Sequence, residues 1–186
     1  MPRVVDHEQR RAGLAAAVVR VAARDGLHAA TMRSVAAEAG VSFSLVQYYF
    51  DTKAALLRAA LDHLEAEAVR RWADRLAALP ERSPRAVVEA FLDEALPTTP
   101  DSRAHHVVWT AYAALSMTGT GLPTHAGPDR RERELAGYLE GAVDDPGLEA
   151  ARLLALAHGL GTSVLIGRMG PPRARAVLAL HLDAIL

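Results

Sequence analysis

Residues 31–53 read TMRSVAAEAGVSFSLVQYYFDTK, and the fold of the whole chain follows from how this stretch parses. Thr31 has the side chain of a helix N-cap and opens a short helix that sets Met32, Val35, Ala36 and Ala39 on one face. Gly40 is the turn. Ser42 caps a second helix in which Val46 and Phe50, four residues apart, point one way. Phe43, Ser44, Gln47 and Tyr48 then face elsewhere, with no core to fill. Helix, tight turn, helix is the helix-turn-helix arrangement, whose second helix enters the major groove in DNA readers.

Working outward, apolar residues recur at helical spacing along nearly the whole chain, and no segment alternates convincingly with period two, so the expected fold is all-α. A helix from about His7 to Asp25 precedes the quoted stretch, with Leu14, Ala17, Val18, Val21 and Ala22 on one face and Gly26 as its stop. After it, Thr52 caps a long helix carrying Leu56, Leu57, Ala60, Leu61, Leu64, Trp72, Leu76 and Leu79, which Pro80 ends. Ser83-Pro84 opens a fifth helix to about Leu96, closed by Pro97 and Pro100, and the sixth holds Val107, Val108, Trp109, Tyr112 and Leu115. Gly119–Pro128 reads as a loop, followed by a charged helix from Asp129 to near Asp144, an eighth helix from Pro146, and a ninth after Gly170-Pro171-Pro172. These about nine helices divide into an N-terminal helix-turn-helix domain over 1–52 and a larger helical ligand-binding and dimerisation domain over 53–186.

Composition narrows the class. The chain has 186 residues, 51% apolar and 23% charged, enough for a packed globular core. With no cysteine, disulfide and thiolate chemistry are excluded and a cytoplasmic location is expected. Residues 1–11 lack the apolar stretch of a secretory signal, and the uncharged stretches 104–128 and 153–167 read as buried helix rather than membrane span. Net charge is −1, with seven Lys and Arg against five Asp and Glu over residues 1–53, a mild positive bias toward the head.

The quoted stretch closely resembles the signature of the TetR family of transcription regulators. In that signature Thr and Arg open the second helix, Ala-Gly-Val-Ser makes the turn, a Tyr-rich recognition helix ends in Phe, and Lys starts the fourth helix. The resemblance implies a double-stranded DNA operator as partner. It implies that Ser42, Phe43, Ser44, Gln47 and Tyr48 read bases, with Gln47 suited to adenine N6 and N7 and Phe43 to a thymine methyl. It likewise implies that Thr31, Arg33, Tyr49 and Lys53 grip phosphates without reading sequence. For Tyr48 and Tyr49 the alternative is packing against the first helix. Arg10 and Arg11 are further backbone candidates.

The C-terminal sequence, ALPTTPDSRAHHVVWTAYAAL at 95–115 and residues 151–186, resembles the sensor half of the BetI-like branch. Trp109 and Tyr112, three apart with His105 a turn earlier, join Phe91, Met117, Tyr138 and His158 as candidate lining for a small-molecule effector, ordinary core being the alternative. The last two helices are apolar over wide arcs. Leu153, Leu156, Leu160, Val164, Val177, Leu178, His181 and Ile185 are therefore candidates for a homodimer interface, and the small Ala157, Gly159 and Gly161 would permit close helix approach.

The histidines His105, His106, His125, His158 and His181 show no ligand spacing, so no metal or other cofactor is expected. No nucleophile triad, phosphate loop or carboxylate pair suggests an enzyme. The expected function is a ligand-responsive repressor that binds a palindrome as a homodimer. The rival readings are a constitutive DNA-binding dimer and a helical enzyme or carrier.

Overall fold

A computed structural model describes residues 3–117 and 127–186. Its helices are α1 (Arg3–Asp25), α2 (Met32–Ala39), α3 (Phe43–Tyr49), α4 (Lys53–Ala78), α5 (Pro84–Ala95), α6 (Pro100–Met117), α7 (Gly127–Leu139), α8 (Pro146–Leu165) and α9 (Pro171–Ile185). No strand occurs among the described residues.

The helix starts follow from side chains that satisfy the orphan amides of a first turn. Thr31 and Ser34 form a reciprocal capping box: the Ser34 amide donates to Thr31 Oγ1 at 3.1 Å and the Thr31 amide to Ser34 Oγ at 2.9 Å. Ser42 accepts from the Leu45 amide, Thr52 from Ala55, Ser83 from Ala86 and Asp145 from Leu148. Gly40 ends α2 at φ +65°, the left-handed conformation that lets the chain reverse into α3 without a Cβ penalty.

Several boundaries differ from the sequence reading. α1 begins at Arg3, not His7. Phe50 is the extended residue that ends α3, at φ −142°, yet it is fully buried beside Val46 as the spacing required. Pro100 opens α6 rather than closing α5, because Thr99 and Ser102 cap each other there in a second reciprocal box. α7 stops at Leu139 instead of continuing to near Asp144, the chain turning at residues 140–142 before Asp145 caps α8. Of the loop expected over Gly119–Pro128, Gly127 and Pro128 begin α7; residues 119–126, His125 included, lie outside the described residues.

By packing, the described chain forms two compact units, divided after Ala66 within α4 and after His106 within α6. The first unit holds α1, α2, α3 and the N-terminal part of α4, with Val108 and Tyr112 of α6 completing its core around Leu14, Val18, Val35, Val46, Phe50 and Leu57. The second has its own core, in which Phe91, Leu92, Leu96, Leu135, Leu139, Leu153 and Leu182 are all buried. Two cores of this size each follow from the apolar stripes of their helices, at about 25 cal/mol per Å² of apolar surface removed from water.

Candidate nucleic-acid interface and aromatic cluster

In the first unit α3 is sharply two-sided. Val46 and the flanking Phe50 are buried, while Ser42, Phe43, Ser44, Gln47 and Tyr48 are exposed, Phe43 at 39% and Tyr48 at 72%. Thr31, Arg33 and Lys53 are also exposed. The Arg33 guanidinium lies 5.8 Å from the Phe43 ring centre, so α2 and α3 present one joined polar and aromatic surface. Tyr49 is half-buried, 4.6 Å from the His7 ring of α1 and edge-on to Tyr48 at 5.2 Å. Packing against the first helix therefore describes Tyr49, whereas Tyr48 keeps most of its surface outward.

Two features of this surface were missed in the sequence. His7 forms an aromatic group with Tyr48 and Tyr49, and Arg11 sits 5.4 Å over the Phe50 ring. Glu38 of α2 accepts from both Arg20 and Arg24 of α1 at 2.8 Å, and these two hydrogen bonds hold its carboxyl below the usual carboxylate range. That clamp fixes α2, and with it the turn into α3.

The second unit contains a packed aromatic cluster. Trp72 of α4, Phe91 of α5 and Tyr138 of α7 meet edge to face, with centroids 5.2 to 6.4 Å apart. The Trp72 indole N–H donates to Glu134 Oε1 at 2.8 Å, and the Tyr138 hydroxyl donates to the same oxygen at 3.2 Å. Burial raises the Tyr138 phenol above its ordinary value. Arg131 lies 5.6 Å over the Phe91 ring.

Beside this group His158 of α8 faces His106 of α6, with ring centres 6.0 Å apart. Burial first, then the neighbouring His106 and Arg131, pushes His158 down to about 4. Burial also lowers His106, against hydrogen bonds to the backbone of His158 and Ala95. His106 fits only because Gly161 on α8 has no side chain, since a Cβ there would overlap its imidazole.

This part of the second unit thus gathers Phe91, Tyr138 and His158 from the expected effector residues. It takes His106, not His105, and adds Trp72, Arg131 and Glu134, whose partners are too far apart in sequence to be paired from it. Tyr112 instead lies in the core of the first unit, Trp109 packs against that same core, and Met117 is 81% exposed.

A neutral, half-buried His158 carries a pH dependence. Its folded value lies below the ordinary imidazole value near 6.5, so between the two the unfolded chain binds more protons and stability falls as pH drops. Relative to pH 7.5, unfolding at pH 5 should be easier by up to about 2 kcal/mol from this group alone. Urea melts of the wild type and His158→Gln check it, the variant losing less stability over that interval.

The expected dimer residues divide. Leu153, Leu160 and Leu178 are buried within their own unit, as are Ala157 and Gly161, because α8 and α9 turn their most apolar faces to α5 and α7. Leu156, Val164, Val177, His181 and Ile185 are half-buried, and His181 Nε2 pairs with Glu149 at 2.9 Å. Large apolar side chains left outside here are Leu148 at the start of α8, Ile166 just past its end, Leu180 of α9 and Leu186 after it, and on α8 the small Ala155 and Gly159 are exposed as well.

A helix-turn-helix head carried with a separate helical core defines a DNA-binding transcription regulator. Residues 14–60 match the family of bacterial regulatory proteins named for TetR, and residues 84–186 match the C-terminal domain of BetI-type transcriptional repressors. The chain belongs to the TetR family. It is 30% identical, over its full length and 94% of the relative, to the HTH-type transcriptional regulator PksA of Bacillus subtilis (strain 168). A transcriptional regulator from Rhodococcus sp. Rha1 superposes with TM-score 0.81 at 27% identity over 95% of both chains. A regulator from Saccharomonospora viridis, solved in complex with choline, superposes with TM-score 0.78 at 25% identity, covering 95% of this chain and 96% of that one. The protein is a regulator, not an enzyme, and no helix among the described residues is long and apolar enough to cross a membrane.

Proposed function

We propose that the protein is a cytoplasmic, homodimeric repressor that reads a palindromic operator through α3 of each protomer and is released by a small-molecule effector. One observation carries the reading: α3 spends Val46 and Phe50 on the core and leaves Phe43, Ser44, Gln47 and Tyr48 outside beside the capping Ser42, a surface that fills no core. Those five would read base edges, with Gln47 bidentate to adenine, while Thr31, Arg33, Tyr49 and Lys53 would hold phosphates. Two such heads one helical turn apart, or a multiple of it, supply the contacts that one short helix cannot.

The effector would bind at the cluster of Trp72, Phe91 and Tyr138 by parting these packed rings. The choline bound by the Saccharomonospora regulator supports a small organic cation as the first candidate, for which three aromatic faces and the Glu134 carboxylate are suitable partners. One helix, α4, carries both Lys53 and Trp72, so an effector that repositions α4 would alter the grip on DNA. A differential of about 1 to 3 kcal/mol between the two states gives roughly 5- to 150-fold in operator affinity.

Selecting bound duplexes from a random pool and adding choline and related cations tests this reading. A palindromic site whose affinity falls with effector supports it; a single asymmetric half-site, or affinity indifferent to every effector, counts against it. The outward residues Leu148, Ala155, Gly159, Ile166 and Leu180 would carry the partner helices of a four-helix interface. Leu180→Asp should accordingly shift sedimentation from dimer to monomer and weaken operator binding at least about tenfold while leaving helicity intact.

A further inference from the structure

A cavity that shares no lining residue with the aromatic cluster opens on the second unit between the end of α4, α5 and α9, with a volume of about 820 Å³. Its origin is legible. α5 and α9 run antiparallel and are tied at both ends, by Arg85 Nη2 to Asp183 at 2.6 Å and by Arg175 Nε to Asp93 at 2.5 Å. Between the ties Ala86, Ala90 and Ala179 are too small to close the gap. The result is a trough over Leu92, Leu178 and Leu182, which runs about 10 Å along α5 from Ala86 to Asp93 at roughly 1.5 Å per residue.

The two ends differ in charge. At the Asp93 end, Arg75 and Arg175 share that single carboxylate, Arg75 Nη1 reaching it at 3.2 Å. Arg75 Nη2 is taken by Glu94 at 3.3 Å, but Arg175 uses only its Nε, and its two terminal NH2 groups have no partner among the described residues. At the Ala86 end stand Glu81, with no ion-pair partner among the described residues, and Glu89, held by Arg85 at 3.0 Å.

We infer that this trough binds a single-headed anionic amphiphile, a free monocarboxylate with an unbranched chain of roughly eight to ten carbons matched to the length of the trough. The carboxylate takes the fork of Arg175, and the chain lies along Ala90 and Ala179 over the leucines. The acidic far end fixes the orientation and rejects a second negative head. Binding here is independent of whether the protein responds to a ligand at the aromatic cluster.

The test is calorimetric titration of the full chain with decanoate below its aggregation concentration, beside decanedioate and decyltrimethylammonium. Decanoate is expected to bind one per protomer, the dicarboxylate and the cation at least about tenfold more weakly. Arg175→Ala should weaken decanoate about tenfold, and Ala90→Trp should abolish its binding with melting unchanged. Should Ala90→Trp fold poorly, Ala179→Met fills the same space from α9. The inference is overturned if the cation or dicarboxylate binds as well as decanoate, if the filled trough still binds it, or if the wild type does not. It is also overturned if Ala90→Trp instead changes the oligomeric state, which would make a second copy the occupant.

Discussion

Phe50→Ala is expected to lower the stability of the protein by about 3 to 5 kcal/mol and to take DNA binding with it. Phe50 is 1% exposed and closes the core of the first unit with Val46, Leu14 and Leu57, so truncation removes its transfer free energy and leaves a cavity that the surrounding helices cannot readily collapse. The contrast is Phe43→Ala, seven residues earlier on the outer side of α3, where exposure and an Arg33 contact are all that is lost. That variant should cost less than about 1 kcal/mol in urea denaturation yet weaken operator binding measurably. If both variants melt alike, the inward and outward faces of α3 are wrongly assigned.

The second large effect is expected at Gly161. Valine there must overlap His106, itself buried and held through backbone hydrogen bonds to Ala95 and His158, so neither ring nor helix can give way cheaply. A loss of about 3 kcal/mol or more is expected, since overpacking and a broken buried polar contact add. The cause is separable by a double-mutant cycle: with His106→Ala in the same chain the added methyl groups find room, and Gly161→Val should cost at least about 1 kcal/mol less than it does alone. Additive costs would show that the glycine serves some other purpose than seating the imidazole.

How much of this was legible in the sequence depends on how local the cause is. Thr31, Ser42, Thr52, Ser83-Pro84 and Pro146 mark helix starts because a cap acts within three residues, and the structure uses each where the sequence puts it. The opposed faces of α3 were legible for the same reason, being set by the helical period. The Thr99–Ser102 box was equally local and was obscured only by reading Pro100 as a stop rather than as a first helical residue.

The aromatic cluster was legible only in part. Phe91, Tyr138 and His158 were recognisable as large or polar groups on inner faces, but Trp72 meets Glu134 across 62 residues, a pairing only tertiary structure makes. Between the adjacent His105 and His106 the helical period favoured His105, a turn before Trp109, whereas the ring that meets His158 is His106. The choice falls to Gly161, 55 positions downstream, where absence of a side chain admits one ring. Likewise the wide apolar arcs of the last two helices signalled burial without saying against what. Leu153, Leu160 and Leu178 are covered by their own chain, and the candidate partner face falls to Leu148, Ile166 and Leu180.

The most direct test of the account is the salt dependence of binding to a selected duplex, followed by fluorescence anisotropy for the wild type, Arg33→Ala and Gln47→Ala. The wild type should lose affinity linearly with the logarithm of salt concentration. Arg33→Ala should reduce that slope by about 1 per head, whereas Gln47→Ala should leave the slope intact and relax the sequence preference by about 1 to 3 kcal/mol at one position. A protein that binds no duplex at about 50 mM salt, or whose binding neither substitution alters, would contradict the assignment of residues 31–53 as the reading head.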